Sequence, residues 1–78
     1  MILEIITPGK KLFEGTVKSA VFPGSEGSFG VLDNHAPMIT TLKQGKIEVT
    51  ELNNNKIEFA VNGGVLEVLR NKVTVLAE

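Results

Sequence analysis

Apolar and polar residues alternate in two neighbouring stretches of the chain, and this period of two constrains the fold more than any other feature. Between Gly45 and Leu52, Ile47 and Val49 alternate with charged or hydroxyl side chains. The same alternation returns over residues 56–61. Because successive side chains of a β-strand point to opposite faces, the pattern predicts two strands that each bury one face.

Three consecutive asparagines, residues 53–55, separate these two stretches. Asparagine tolerates the left-handed backbone of tight turns, so the sequence predicts a β-hairpin here. Glycines at 63–64 and the segment 70–72 mark two further turns, with apolar strand-like runs at 65–69 and 73–76. We therefore predict a meander of four strands in the second half of the chain.

The first half is less regular but is also typical of strands. We predict one strand over residues 2–7, a pair of strands within 11–22, and short strands at 29–32 and 38–43. The segment 23–30 holds three glycines and a proline and is predicted to be a loop.

Residue composition favours strands throughout. The β-branched residues Val, Ile and Thr number 21 of 78, whereas Ala occurs four times, and no stretch has a convincing helical period. Gly15 is predicted to mark a bulge or corner. The expected fold is all-β: a small β-sandwich of about ten short strands.

Length and composition exclude several classes of protein. With 78 residues the chain forms one domain, expected over residues 1–78. Without cysteine it has no disulfides and no thiolate metal site, and a net charge of −1 argues against nucleic-acid binding. The longest apolar runs are only a few residues, too short for a transmembrane helix, and residues 1–6 lack a signal-peptide pattern. A cytoplasmic location is expected.

Candidate catalytic patterns are weak. The evenly spaced glycines of segment 24–30 lack the Gly-Lys-Ser/Thr ending of a P-loop, so a tight turn near another surface is favoured over phosphate binding. His35 is the only histidine, too few for a zinc site. A triad of His35, Asp33 and a serine could be assembled on paper, but no nucleophile-elbow sequence supports it. Glu48 and Glu58 are interpreted as solvated strand residues that pair with lysines.

Several motifs occur together in a characteristic order. They are Leu3-Glu4-Ile5-Ile6-Thr7-Pro8, Leu12-Phe13-Glu14-Gly15, Pro23-Gly24-Ser25-Glu26-Gly27-Ser28-Phe29-Gly30-Val31-Leu32, Asn34-His35-Ala36-Pro37-Met38-Ile39-Thr40, Phe59-Ala60-Val61-Asn62-Gly63-Gly64-Val65-Leu66-Glu67-Val68, and Asn71-Lys72-Val73-Thr74-Val75-Leu76-Ala77-Glu78. Across its whole length the chain resembles the epsilon subunits of F-type ATP synthases.

This resemblance implies a ten-stranded β-sandwich in the central stalk that binds the gamma subunit and rests on the membrane c-ring. It further implies a non-catalytic rotor subunit without a cofactor, attached indirectly and peripherally to the cytoplasmic face of the bacterial plasma membrane. By similarity, the c-ring contact falls on Glu26, Gly27, Ser28 and Phe29. Three further residues match positions near gamma: Thr7, His35 and Thr40.

The chain departs from the family pattern in two places. Relatives often carry an acid where Ser28 stands and Pro-Gly at positions 33–34, so the ring contact is expected to depend more on Glu26 and the loop backbone. Most bacterial relatives also continue into a two-helix hairpin after a motif like residues 75–78. In the family this hairpin inhibits ATP hydrolysis and in some members binds ATP, so a chain without a C-terminal helical hairpin is expected to do neither.

Two other functions stay open on the sequence alone. One is a free-standing β-domain that binds a nucleotide or carbohydrate at His35 and the glycine-rich segment. The other is a small hydrolase that uses His35. The rotor function implied by the resemblance requires neither ligand nor catalytic group.

Overall fold

The computed structural model describes all residues, 1–78, and its hydrogen-bonding pattern defines eight β-strands and no helix. The strands are β1 (Ile2–Thr7), β2 (Lys10–Gly24), β3 (Gly27–Leu32), β4 (Met38–Leu42), β5 (Gly45–Glu51), β6 (Lys56–Val61), β7 (Gly64–Leu69) and β8 (Lys72–Ala77). The prediction of an all-β sandwich is confirmed, with eight strands instead of about ten. No helix is present that has the length and apolarity needed to cross a bilayer.

Strand β2 belongs to both layers of the sandwich. Its first part, residues 10–16, pairs with β1, and β1 continues through a parallel pairing with β8 to β7 and β4. In its second part, residues 17–21 pair with β5, residues 19–24 pair with β3, and Gly24 also pairs with Leu42 of β4; β5 in turn pairs with β6. One layer therefore contains β1, β8, β7, β4 and the start of β2, and the other contains β3, the end of β2, β5 and β6.

A single apolar core fills the space between the layers. Sixteen buried hydrophobic residues form it, and no polar or charged residue is buried. Ile47 and Val49 are fully buried, as the alternation in the sequence predicts, and Phe22 is the largest fully buried side chain. Each fully buried side chain of this size contributes roughly 1.5–3 kcal/mol of transfer free energy, which lets this short chain fold by packing.

The expected pair of strands within residues 11–22 is instead a single strand of 15 residues. Two register shifts in β2 explain how one strand serves two layers: Leu12 is an extra residue opposite β1, and Lys18 is extra opposite β5. Such bulges increase the local twist of a strand, so β2 can leave one layer and enter the other. The bulge predicted at Gly15 is wrong, since Gly15 pairs regularly with Leu3, and the change of layer begins two residues later, at Val17.

The predicted meander is also wrong, because β6 and β7 lie in different layers and do not pair. The chain crosses between the layers at Gly63 and Gly64, whose φ angles of +131° and +149° favour glycine. The second half therefore forms two hairpins, β5–β6 and β7–β8. Their turns were correctly located, and Asn54, Arg70 and Asn71 adopt φ angles of 70°, 51° and 60°.

The two long sides of the sandwich differ. On one side, the start of β2 faces β6, and the rings of Phe13 and Phe59 pack with centroids 5.4 Å apart. On the other side, the outermost strands β3 and β4 do not pair with each other. Phe29 packs there on the buried ring of Phe22, with centroids 5.7 Å apart. One side is thus closed by aromatic packing. On the other, β4 is joined to the second layer only at the pair Leu42–Gly24, and the edges of β3 and β4 are unpaired beyond it.

Charged side chains connect β1 to both of its neighbours. Lys11 Nζ on β2 lies 3.0 Å from Glu4 Oε2 and 2.8 Å from Glu14 Oε1, and Lys72 Nζ on β8 lies 3.5 Å from Glu4 Oε1. The hydrogen bond from Lys11 lowers the pKa of the Glu4 carboxyl below its ordinary value. The pKa of the Lys11 ammonium is raised in turn, first by its hydrogen bond to Glu14 and to a lesser extent by its hydrogen bond to Glu4.

The crossing between layers predicts a strict requirement for glycine at position 64. A Cβ there would lie 2.3 Å from the Leu76 carbonyl oxygen, at a positive φ. We expect Gly64→Ala to lower the free energy of unfolding by about 2–4 kcal/mol through overpacking and backbone strain. The measurement is urea denaturation. Gly9→Ala is the control, since a Cβ at that turn meets nothing within 4 Å, and equal stability of the two variants would contradict this account.

The lowered pKa of Glu4 predicts acid sensitivity. A carboxylate whose pKa is lower in the folded state stabilises the fold above its unfolded pKa, and that stabilisation is lost as pH falls through the folded pKa. We expect Glu4→Gln to reduce the loss of stability between about pH 6 and about pH 3. Thermal unfolding across this range measures it. Glu67→Gln, which removes a carboxylate without an ion pair, serves as control and is expected to keep more of the wild-type dependence.

Candidate functional site

The glycine-rich segment forms the β2–β3 hairpin and not the loop that its composition predicts. Gly24 pairs with Gly27, so only Ser25 and Glu26 remain as the turn. A Cβ on Gly24 would lie 2.5 Å from the Gly27 carbonyl oxygen and 2.8 Å from the Phe29 ring, and Gly27 has a φ of +131°. These two glycines permit close approach and a left-handed backbone inside a tight hairpin, which explains why composition alone suggested a loop.

Hydrogen bonds fix this turn against β4. The Ser25 amide donates to the Thr41 carbonyl at 3.1 Å, and the Lys43 amide donates to the Pro23 carbonyl at 2.9 Å. The hydroxyls of Ser25 and Thr41 share a further hydrogen bond of 2.7 Å. The hairpin is therefore held to the first layer at its tip.

Beyond these contacts, β3 and β4 separate and enclose an open cavity of about 400 Å³. We call it the β3–β4 slot. Residues 24–30 form one wall, and His35, Met38 and Thr40 complete its lining. Residues 33–37 connect the two strands across the far end. The lining contains one carboxylate, Glu26, and neither lysine nor arginine.

Six of the seven residues selected from the sequence meet in this slot. They are Glu26, Gly27, Ser28, Phe29, His35 and Thr40. Glu26 and Ser28 are exposed, whereas Phe29, His35 and Thr40 are half-buried. The seventh, Thr7, is not part of the slot lining. It lies at the β1–β2 turn, where its hydroxyl donates to the Lys10 carbonyl at 3.0 Å.

Four residues of the slot lining are not among those selected from the sequence: Gly24, Ser25, Gly30 and Met38. The sequence places the first three in the predicted loop and gives Met38 no role. In β4, Met38, Thr40 and Leu42 are more buried than the residues between them. The residue types of β4 do not follow this alternation, since the apolar Ile39 is exposed and the polar Thr40 is half-buried, so the sequence held no signal for Met38.

The surroundings of His35 do not form a catalytic arrangement. Its Nδ1 lies 2.8 Å from the Ala36 carbonyl oxygen, so Nδ1 is the donor when it carries the proton. The Asp33 carboxylate is paired with the amino-terminal ammonium of Met1, which also donates to the Val17 carbonyl. The base and acid of a triad are thus engaged with different groups. No cluster of three or more His, Asp or Glu side chains is arranged to hold a metal ion.

Comparisons with known proteins place the whole chain in one family. The family model described as "ATP synthase, Delta/Epsilon chain, beta-sandwich domain" matches residues 1–78. The ATP synthase epsilon chain of Campylobacter curvus is 46% identical over 76 residues, which cover 97% of this chain and 59% of the relative. That of Desulfatibacillum aliphaticivorans is 45% identical over 78 residues, which cover 100% of this chain and 55% of the relative.

Solved structures agree on the fold. A chain of the Euglena gracilis mitochondrial ATP synthase, determined as OSCP/F1/c-ring, matches with a TM-score of 0.93 at 23% identity, over 99% of this chain and 49% of its own length. A chain of the Tetrahymena thermophila mitochondrial ATP synthase central stalk/c-ring matches with a TM-score of 0.79 at 19% identity, over 97% of this chain and 61% of its own length.

The chain spans only 59% and 55% of the length of these two epsilon chains, so the likeness concerns one part of those longer proteins. Within that part, the motifs, the β-sandwich and the family model all agree. The chain belongs to the β-sandwich domain family of the ATP synthase delta and epsilon chains.

Proposed function

We propose that this chain is a non-catalytic central-stalk subunit of an F-type ATP synthase. In this role it links the gamma subunit to the c-ring, turns with them, and couples proton flow to ATP synthesis. The family match over residues 1–78 is the observation that carries the proposal. The activity and the partners are carried over from the longer relatives, which are named ATP synthase epsilon chains.

The chemistry of the slot supports a role in binding. Its lining combines one exposed carboxylate, hydroxyls, glycine backbone and half-buried apolar side chains. A nucleophile activated by a base, or a set of metal ligands, is what catalysis would need. Surface complementarity to other subunits is the function that this set of groups serves best.

The seven selected residues divide between two proposed partners. Glu26, Gly27, Ser28 and Phe29 are assigned to the c-ring, and Thr7, His35 and Thr40 to gamma. Because six of them line one slot, the two partners would occupy adjoining surfaces. The turn residue Glu26 carries the only full negative charge in the lining and is the expected polar contact with the ring.

The proposed location follows from the complex. The subunit is held at the cytoplasmic face of the bacterial plasma membrane by its partners and does not itself enter the bilayer. The net charge of −1 gives it no basic field for nucleic acid. The proposal includes neither a cofactor nor a disulfide.

Affinity capture from native membranes tests the proposal directly. We expect the tagged chain to retain both gamma and the c subunits. Recovery of the chain with neither gamma nor c subunits would reject the rotor function. Calorimetric titration of the purified chain with ATP and with simple sugars is the complementary test, because heat of binding would favour an independent ligand-binding domain.

Substitutions at the hairpin predict a selective loss of the ring contact. We expect Glu26→Lys to weaken retention of the c-ring about tenfold, equivalent to roughly 1.4 kcal/mol, because it reverses the only full charge in the slot lining. Glu48→Lys on the outer face of β5 is the control, and it is expected to bind as the wild type does. The measurement is the fraction of c subunits captured across a range of salt concentrations.

Gly30→Val tests the proposed c-ring contact by adding a bulky side chain to this surface. A Cβ at Gly30 would meet no atom closer than 3.9 Å, and valine is favoured in strands, so we expect the isolated domain to tolerate the substitution. We expect unchanged unfolding of this variant but weaker coupling in reconstituted vesicles. Normal coupling by both Gly30→Val and Glu26→Lys would argue against this surface as the ring contact.

A further inference from the structure

The pairing of Pro23 with Ser28 reveals which way the backbone of β3 faces. Pro23 has no amide hydrogen, and its carbonyl accepts a hydrogen bond from Lys43 on the other side of β2. Neither backbone group of Pro23 is therefore directed to Ser28. In an antiparallel ladder this identifies a non-hydrogen-bonded pair, so the amide and carbonyl of Ser28 point away from β2.

Alternation along the strand extends this result. Gly30 and Leu32 lie two and four residues beyond Ser28, so their backbone groups also point away from β2. β2 is the only strand that pairs with β3. The outer edge of β3 thus presents a row of amides and carbonyls without a partner strand.

The facing edge of β4 has the same property over a shorter length. The Thr41 carbonyl accepts a hydrogen bond from Ser25 and so points away from β7. Ile39, two residues earlier, shares this orientation. The β3–β4 slot is therefore flanked by unpaired backbone groups on both sides.

Free strand edges are usually protected against pairing with other chains, and the two outer strands of this layer differ in this respect. β6 carries Lys56 and Glu58, and charged side chains on an edge discourage strand addition. β3 has no charged residue, no proline and no register shift against β2. Gly27 and Gly30 also place no side chain in the path of an approaching backbone.

We propose that an extended segment of a partner subunit adds as a β-strand to the free edge of β3 in the β3–β4 slot. Its main chain hydrogen-bonds to the backbone groups of Ser28 and Gly30, as in other cases of strand addition. This inference rests on the proposed function, since it describes how one of the stalk partners is held.

The slot also specifies the chemistry of the added segment. Side chains of a strand alternate, so those directed inward meet Phe29 and Met38, which are half-buried, and are apolar. Glu26 is the only full charge in the lining. Charge complementarity therefore favours a lysine or arginine on the segment near the turn, and disfavours an acidic residue there.

Hydrogen exchange in the captured complex tests the pairing at single residues. We expect the amides of Ser28 and Gly30 to exchange at least tenfold more slowly in the complex than in the free chain. The amides of Phe29 and Val31 face β2 in both states and serve as internal references. If gamma and the c subunits are captured but the Ser28 and Gly30 amides gain no protection, strand addition is wrong and the rotor function still stands.

A pair of substitutions at one position separates main-chain from side-chain binding. Ser28→Pro removes an amide hydrogen that the fold does not use, a change that edge strands tolerate, whereas Ser28→Ala removes only the hydroxyl. We expect retention of the partner by Ser28→Pro to be about tenfold weaker than by Ser28→Ala, with both domains folded. Equal losses would assign the contact to the hydroxyl and overturn the proposal, and failure of the wild-type chain to capture any stalk subunit would reject the rotor function itself.

Discussion

The sharing of β2 between two layers is the constraint on which the rest of the structure depends. One strand of 15 residues carries the hydrogen bonds of β1 over its first part and those of β3 and β5 over its second. The extra residues Leu12 and Lys18 supply the twist for this change of layer. Because the layers are continuous through β2, they enclose one core in which no polar side chain is buried.

The open slot is a consequence of that arrangement. β2 takes an interior position in its second layer, which leaves β3 as the outer strand, while β4 contacts β2 only at the pair Leu42–Gly24. The two edges flank the same side of the sandwich, and Phe29 and Met38 only partly cover the core between them. The opposite side is closed by Phe13 and Phe59. The side that is open to a partner and the side that is closed by aromatic packing therefore lie opposite each other in one small domain.

Much of the site could be predicted from the sequence, but its internal geometry could not. The motif around Glu26 and the motif around His35 pointed to two contact regions, and both line the slot. What the sequence concealed is that residues 23–30 form a hairpin, since glycine is equally common in loops and at points of close approach. The unpaired edge of β3 was likewise unpredictable, because it depends on which strands fail to pair.

Local patterns in the sequence determined the all-β class, the family, the strand β1 and the two hairpin turns at residues 52–55 and 70–71, since period and turn chemistry act over a few neighbouring residues. Tertiary structure alone decided that β2 is continuous and that the chain changes layer between β6 and β7, at Gly63 and Gly64. It also decided that Thr7 lies outside the slot that collects the other selected residues. Strand pairing joins residues far apart in the chain, and the free energy that selects one pairing over another comes from the shared core, which no short window of sequence contains.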